Sequence, residues 1–321
     1  MTALKVAVSV GLIYLVFRGV DLKAALARIL SADPFYIVLA CLTGIFQVGI
    51  CGIRWRAVLS AIGVEFSFWI SAKLYAIGLF FNLALPSSVG GDAVRGYKTY
   101  KRGVRLTTAI SSVLLERVAL VLALVLVVLA AAPILSASVG EAGGWIVPMA
   151  LLLALGGLAG LCVLMLLDRL PSRFQHIRIV RSLGAMAGSA RILFLKPRNL
   201  LPTMVWCVIG HLNIVLAVYF LALALGLGNE ASFMICLGLV PPVILITTLP
   251  ISIGGWGLRE GAMVYAFGLV GVASDGALAL SLLFGLLGIW IGLPGAIAWL
   301  IDGGSRKDLE EAEKLEEEAA S

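Results

Sequence analysis

Two short stretches interrupt a mostly apolar chain with residues able to hold an anion. "LPSSVGGDAVR" runs from Leu85 to Arg95, and "LPISIGGWGLR" from Leu249 to Arg259. Leu85/Leu249, Pro86/Pro250, Ser88/Ser252, Gly90/Gly254, Gly91/Gly255 and Arg95/Arg259 match at one constant offset, while Val89/Ile253 and Val94/Leu258 match conservatively. Proline and paired glycines interrupt helical hydrogen bonding and permit close backbone approach. Ser87 and Ser88 can hydrogen-bond near such an interruption. After the glycines, "DAVRGY" and "GLREGAMVYAF" resume as helices, whose N-termini offer free N–H groups and a positive dipole end. Arg95 and Arg259 fall within about one turn of those ends, where a guanidinium can fork onto phosphate oxygens. Either elbow alone is slightly better explained by an interhelical turn at the membrane surface, its arginine snorkelling to headgroups. Two of them at one spacing favour a binding site.

A second feature is charge inside apolar sequence. Glu116 and Arg117 lie in "SSVLLERVALVL", well away from the nearest loop. Ionised side chains at bilayer depth are costly unless paired or wet. Neighbouring helix positions point about 100° apart, so the two residues require separate partners. Glu116 is expected to pair with Arg259 or Arg95, and two readings are open: a functional charge, or an ion pair that locks its helix to the elbows. Arg259 and Glu260 invite the same two readings. Asp92, three residues before Arg95, suits a local pair. Asn82, His211 and Asn213 read as helix–helix hydrogen bonds.

The metal and cofactor chemistries leave no trace. The two histidines, His176 and His211, are far apart, and the chain lacks HExxH, the phosphate-cradling GxxxxGK[ST] and GxSxG. No cofactor is expected. The five cysteines, Cys41, Cys51, Cys162, Cys207 and Cys236, form no CxxC pair and read as small apolar packing residues.

The elements that must position these residues are transmembrane helices. Of the 321 residues, 61% are hydrophobic and 13% charged, with mean hydropathy +1.07, against about 45–50% and about 25% in soluble domains. Apolar runs fall at 6–20, 34–53, 66–89, 107–132, 144–167, 201–226, 231–253, 256–272 and 276–301. The pattern predicts an all-α polytopic membrane protein. The first run lacks a clean cleavage site and is read as a retained helix. The net charge of +6 sits in short segments between runs, which signals cytoplasmic loops rather than nucleic-acid binding. Arg95, Lys98, Lys101, Arg102 and Arg105 form one such cluster, and Arg169, Arg173, Arg178, Arg181, Arg191, Lys196 and Arg198 a second. Phe174, Ile177, Val180 and Leu183 recur at helical spacing, predicting an amphipathic helix at the cytoplasmic interface within the basic segment 168–200. The acidic tail, 302–321, carries no expected catalytic role.

Residues 1–301 read as a single transmembrane domain that contains an internal repeat. Repeat 1, about 34–132, and repeat 2, about 201–301, each read as helix, broken hairpin, helix. Placing both basic clusters on the cytoplasmic side gives the repeats opposite topology, with re-entrant hairpins at 66–94 and 231–272. Broken helices in corresponding positions of inverted halves point to a substrate site near the bilayer midplane.

"NLALPSSVGGDAVRGYKTYKRG", "LLERVALV" and "LPISIGGWGLREGAMVYAF" together resemble the flippase-like transmembrane domain of lysylphosphatidylglycerol synthetases and their stand-alone relatives, over nearly the whole chain. In the full-length synthetases that domain moves aminoacylated phospholipid across the bilayer after a separate soluble domain has made it, and no soluble domain of that size is expected after Ile301. The resemblance implies that Pro86, Gly90, Gly91, Asp92 and Arg95 form a first functional elbow, that Glu116 and Arg117 form the helix motif, and that Gly254, Gly255, Arg259 and Glu260 form a second elbow.

The expectation is a lipid transporter of a prokaryotic cytoplasmic membrane, with Ser88 and Ser252 among the site residues. Its substrate would be a phospholipid, aminoacyl-lipid or polyprenyl-phosphate-linked glycan. Arg95, Arg117 and Arg259 would neutralise the phosphate, while Glu116 and Glu260 balance the arginines or receive an ammonium or a proton. Two competing classes are an intramembrane enzyme using Glu116 or Glu260 as acid or base, and a non-catalytic partner of a lipid synthase or glycosyltransferase.

Overall fold

The computed structural model describes residues 11, 14, 18–84, 90–140, 144, 146–169, 178–248 and 255–304. Most of the first apolar run, the elbow residues 85–89 and 249–254, segment 170–177 and tail residues 305–321 lie outside the described residues. Eleven α-helices follow one another, with no strand among the described residues: α1 Leu22–Leu30, α2 Pro34–Ala61, α3 Phe68–Ala84, α4 Gly90–Lys101, α5 Leu106–Val139, α6 Ile146–Leu166, α7 Arg178–Phe194, α8 Pro197–Ala224, α9 Phe233–Thr247, α10 Leu258–Gly268 and α11 Ser274–Ile301. Five of them, α2, α5, α6, α8 and α11, are long and apolar enough to cross a membrane, and α3 and α9 are shorter apolar helices. Helices dominate because a chain in hydrocarbon must satisfy its backbone polar groups within each segment.

Local chemistry starts the long helices. The Asp33 carboxylate accepts from the Phe35 N–H at 2.8 Å, with Pro34 in the first turn of α2. Pro197 opens α8 in the same way. Both prolines sit where a missing N–H is harmless and the fixed φ suits a helix. Two helices overrun their apolar runs. α2 continues past residue 53 to Ala61 because Arg54 is buried inside the protein rather than marking a membrane boundary. α5 continues past residue 132 through Pro133 to Val139.

The helix order recurs. α2, α3, α4 and α5 have 28, 17, 12 and 34 residues, and α8, α9, α10 and α11 have 28, 15, 11 and 28. Packing is reciprocal between the two sets. α2 lies on α8; α3 lies on α11 as α9 lies on α5; and α4 lies on α5 as α10 lies on α11. α2 and α8 run antiparallel. The Asp33 N–H donates to the Ala224 carbonyl at 2.9 Å at one end. Further along, Asn213 Nδ2 donates to the Thr43 carbonyl (3.0 Å) and to Gln47 Oε1 (2.8 Å), and Gly210 makes room for Arg54. Interhelical hydrogen bonds of this kind are worth about 0.6–1.7 kcal/mol in membrane proteins. Asn213→Leu is accordingly expected to lower unfolding stability by about 1 kcal/mol, read from unfolding by denaturing detergent.

α7 is helical from Arg178 to Phe194, and the part of its apolar side that is described is covered by protein. Met186, Ala187, Ala190 and Leu193 are buried, and Ala190 and Leu193 share a core with Leu161 and Met165 of α6 and Cys207 of α8. Arg191 Nη1 donates to Asp168 Oδ1 at 2.8 Å, tying α7 to the end of α6. Phe174 and Ile177, and the side chains of Val180 and Leu183, lie outside the described residues.

Candidate functional site

The first site is set by where α4 begins. Gly91 packs directly on the Gly78 carbonyl of α3, and its N–H donates to Asn82 Oδ1 at 3.1 Å. This contact fixes the start of α4 against α3 and turns Asp92 and Arg95, one helical turn apart, toward α5. There they meet Glu116 and Arg117, while α2 brings Arg54 and Trp55 and α3 brings Tyr75.

Five ionised side chains alternate in sign across this junction. Nε and Nη2 of Arg54 both lie 2.8 Å from Glu116 Oε1. Glu116 Oε2 is 2.7 Å from Arg95 Nη1. Arg95 Nη2 donates to Asp92 Oδ1 at 3.1 Å, and Arg117 Nε donates to Asp92 Oδ2 at 2.5 Å. Three arginines therefore face two carboxylates, leaving one positive charge in excess.

Aromatic groups close the inner end. The Arg95 guanidinium lies 4.3 Å from the Tyr75 ring centroid and 4.8 Å from that of Trp55, positions in which a cation is attracted to the ring face. Arg54 Nη2 donates to the Tyr75 hydroxyl at 2.5 Å, and Trp55 Nε1 to Ser112 Oγ at 3.3 Å. The Arg95 Nη1 to Glu116 Oε2 contact is not aligned with an N–H, and Arg95 Nε has no acceptor among the described residues. Charge and ring faces, more than linear hydrogen bonds, hold that end together. Side-chain exposure rises along the series, from 0% at Glu116 and 2% at Arg95 to 9% at Asp92 and 48% at Arg117. Glu116 lies about 15 Å along α5 from its first residue, well inside the span.

The second site is smaller and electrically balanced. Gly255 and Gly257 adopt φ of +79° and +83°, left-handed backbone that glycine enters without a Cβ penalty. Glu260 folds back so that Oε2 accepts from the Gly257 N–H at 2.6 Å, while Oε1 accepts from Arg259 Nη2 at 2.5 Å and from Ser281 Oγ at 3.4 Å. The Arg259 guanidinium lies 4.6 Å from the Trp256 ring centroid, and any Cβ at residue 285 would collide with it. Gly285 is thus the space that lets the arginine lie against α11.

The sequence expectations map onto these sites unevenly. Asp92, Arg95, Glu116 and Arg117 come together, with Gly90 and Gly91 buried beneath them. Glu116 and Arg117 have separate partners, as the helical geometry requires. Of the two arginines expected for Glu116, Arg95 is the partner; Arg259 pairs instead with its neighbour Glu260. Pro86, Ser88, Ser252 and Gly254 lie outside the described residues. The N–H groups of Gly91 and Gly257 are taken by Asn82 and Glu260 rather than left for an incoming anion. His211 Nε2 and the Leu120 carbonyl are 3.1 Å apart, so His211, Asn213 and Asn82 all serve helix–helix contacts. Among the described residues no group of three potential metal ligands occurs.

Arg54, Trp55 and Tyr75 were missed. Arg54 falls just beyond the apolar run 34–53, yet Gln47, Cys51 and Arg54 recur at helical spacing and are all buried, whereas Arg56 on another face is exposed. That polar stripe is the signal that would have found it.

The helices and the intramembrane charge series define a multi-pass α-helical membrane protein with a buried polar centre. The family model "Lysylphosphatidylglycerol synthase TM region" matches residues 2–295, and the chain belongs to that family. No curated protein matches it.

Proposed function

We propose that the protein is a flippase-like transporter that moves a lipid with an anionic phosphate headgroup between the leaflets of the membrane. Family membership ties the chain to membrane lipid. The observation that carries the more specific reading is the charge series, which among the described residues has one cation in excess and is half exposed at Arg117. A phosphate arriving there meets a half-exposed guanidinium whose counter-ion, Asp92, is shared with Arg95. It can take the Arg117 fork while Asp92 stays on Arg95, so no charge is left unpaired in a low-dielectric site. Glu116 and Arg54 hold Arg95 in place behind it.

The recurring helix order, the reciprocal packing and the antiparallel α2 and α8 support two inverted repeats. Such halves can rock about a fixed site and expose it to each side in turn. The basic residues at the ends of α4 and around α7 would face the cytoplasm.

The test is transbilayer movement of labelled phosphatidylglycerol in proteoliposomes. Arg117→Gln is expected to slow movement at least about tenfold, the effect of losing one charge-assisted contact, while a half-exposed side chain leaves the unfolding midpoint near wild type. Movement at the wild-type rate in that variant would remove Arg117 from the site. A new lipid product accumulating with time, without redistribution, would replace transport by intramembrane lipid chemistry.

A further inference from the structure

The α2–α3 loop and the α4–α5 loop enclose a polar cavity of about 400 Å³. Glu65 and Phe66 line it from one side, and Arg102, Gly103, Arg105 and Thr108 from the other. Among the described residues the Arg102 and Arg105 guanidiniums make no ion pair and no hydrogen bond. Glu65 is held instead by Ser60, whose hydroxyl donates to Oε1 at 2.7 Å. Arg102 also borders the neighbouring recess at Asp302, but that carboxylate is taken by Lys73. Two unpaired guanidiniums thus share the cavity with one carboxylate that pairs with neither, which leaves it positive. An arginine that only snorkels to headgroups needs no concave wall; these two border one.

Height and size narrow what the cavity can hold. The membrane-spanning α2 ends at Ala61 and the membrane-spanning α5 begins at Leu106. The cavity therefore lies at the end of two spans, where lipid phosphates lie. Trp69, three residues beyond Phe66, is 77% exposed, as suits a tryptophan at headgroup level. The volume is at the small end of the about 300–1,000 Å³ typical of ligand pockets, so a headgroup fits while its acyl chains stay in the bilayer. Planar guanidinium forks match phosphate oxygens. From Arg105 to Arg117 is about 18 Å along α5, and Thr107 and Leu114 between them are exposed. α5 thus offers an open face from this cavity to the interior charge series.

We infer that the cavity is a docking site in which Arg102 and Arg105 hold the phosphate of an anionic lipid headgroup, separate from the Arg117 site. The inference deepens the transport reading, on which it rests for what the docked headgroup does next.

Its test is equilibrium binding rather than transport. The full-length protein in phosphatidylcholine bilayer discs is titrated with spin-labelled phosphatidylglycerol, and the immobilised fraction is read. Wild type and Arg117→Gln are both expected to bind it saturably and in preference to spin-labelled phosphatidylcholine. Adding Arg102→Gln/Arg105→Gln to the Arg117→Gln protein, where the interior site does not contribute, is expected to weaken binding by about 30-fold, the order set by two cations at a lipid surface. Arg102→Lys/Arg105→Lys in the same background should stay within about threefold, which a folding defect would not allow. Lys196→Gln/Arg198→Gln removes the same charge outside the cavity, at the start of α8 and hence at the same end of the molecule as Ala61, and should leave binding within about twofold.

Undiminished binding in the Arg102/Arg105 glutamine variant overturns the assignment. So does an equal loss in the Lys196/Arg198 variant, which would make the attraction a diffuse surface effect. Complete displacement by millimolar glycerol phosphate overturns it too, by making the ligand a soluble phosphate. Loss of binding on Arg117→Gln alone would move the binding to the interior site. A wild-type protein that binds at Arg102 and Arg105 but does not transport would sink the transport reading alone.

Discussion

Glu116→Gln is expected to remove about 3–5 kcal/mol of stability, the loss seen when one member of a buried charge network is deleted. The carboxylate is fully buried and bridges two arginines whose side chains are 3% and 2% exposed. Without it, Arg54 keeps neutral partners among the described residues, Tyr75 and Cys51. Arg95 falls back on Asp92, which Arg117 already shares. Two guanidiniums are then held close together in a medium that screens them weakly. The measurement is the unfolding midpoint in mild detergent, converted with a denaturing-detergent titration. Pairing the change with Arg54→Met should restore part of the loss, because the second substitution removes the charge that the first left stranded. A single variant that loses less than about 1 kcal/mol would mean that water reaches Glu116 and solvates the arginines in its place.

The same network shows what could be read from the chain and what could not. The helical architecture was legible because apolar runs of membrane length leave the backbone no alternative to helices. The cluster of Asp92, Arg95, Glu116 and Arg117 was legible because charge is conspicuous in such runs. Arg54 was not, because a linear reading treats an arginine near the end of an apolar run as a boundary. Only the helical phase of Gln47, Cys51 and Arg54 shows that it faces inward. The choice of Arg95 over Arg259 for Glu116 depends on α4 packing against α5 while α10 packs against α11, a tertiary fact that no local pattern carries. The capture of the Gly257 N–H by Glu260 was within reach, since a glutamate three residues into a helix suits a capping box. At that helix start the chain itself supplies the acceptor, in the place an incoming anion would take.

Asp92 and Arg117 give the network its asymmetry. In the second elbow, Arg259 meets its carboxylate at the next residue, and α11 contributes only Ser281, Phe284 and the gap at Gly285. That pair is neutral and mostly enclosed. The first elbow spreads its charges over α2, α4 and α5 and leaves the last of them half exposed. If the halves move against each other, the second elbow travels as a closed unit while the first must exchange partners. This is why the transport variants are placed at Arg117 rather than at Arg259.

Gly91→Ala is expected to abolish transport and to destabilise the protein by about 3 kcal/mol, the upper end of what overpacking usually produces. A Cβ at this position would overlap the Gly78 carbonyl oxygen and come within 2.6 Å of the Asn82 backbone nitrogen. Both obstacles are backbone atoms of α3, so no side-chain rotation relieves the clash; α4 itself must shift, carrying Asp92 and Arg95 away from Glu116 and Arg117. Gly295→Ala tests the other side of α3, where a Cβ would strike the Ala76 carbonyl and approach the Ile77 nitrogen to 3.0 Å. It should produce a comparable loss of stability. Gly96→Ala, on the same helix as Gly91, supplies the contrast. Its nearest neighbour would be a Val113 methyl at 4.0 Å, ordinary contact, and alanine in mid-helix gains about 0.5–1 kcal/mol over glycine. Unfolding midpoints and lipid movement measured on all three variants decide the matter. A Gly91→Ala protein with wild-type midpoint and transport would mean that α3 and α4 do not meet at this glycine, and the charge series built on that contact would have to be redrawn.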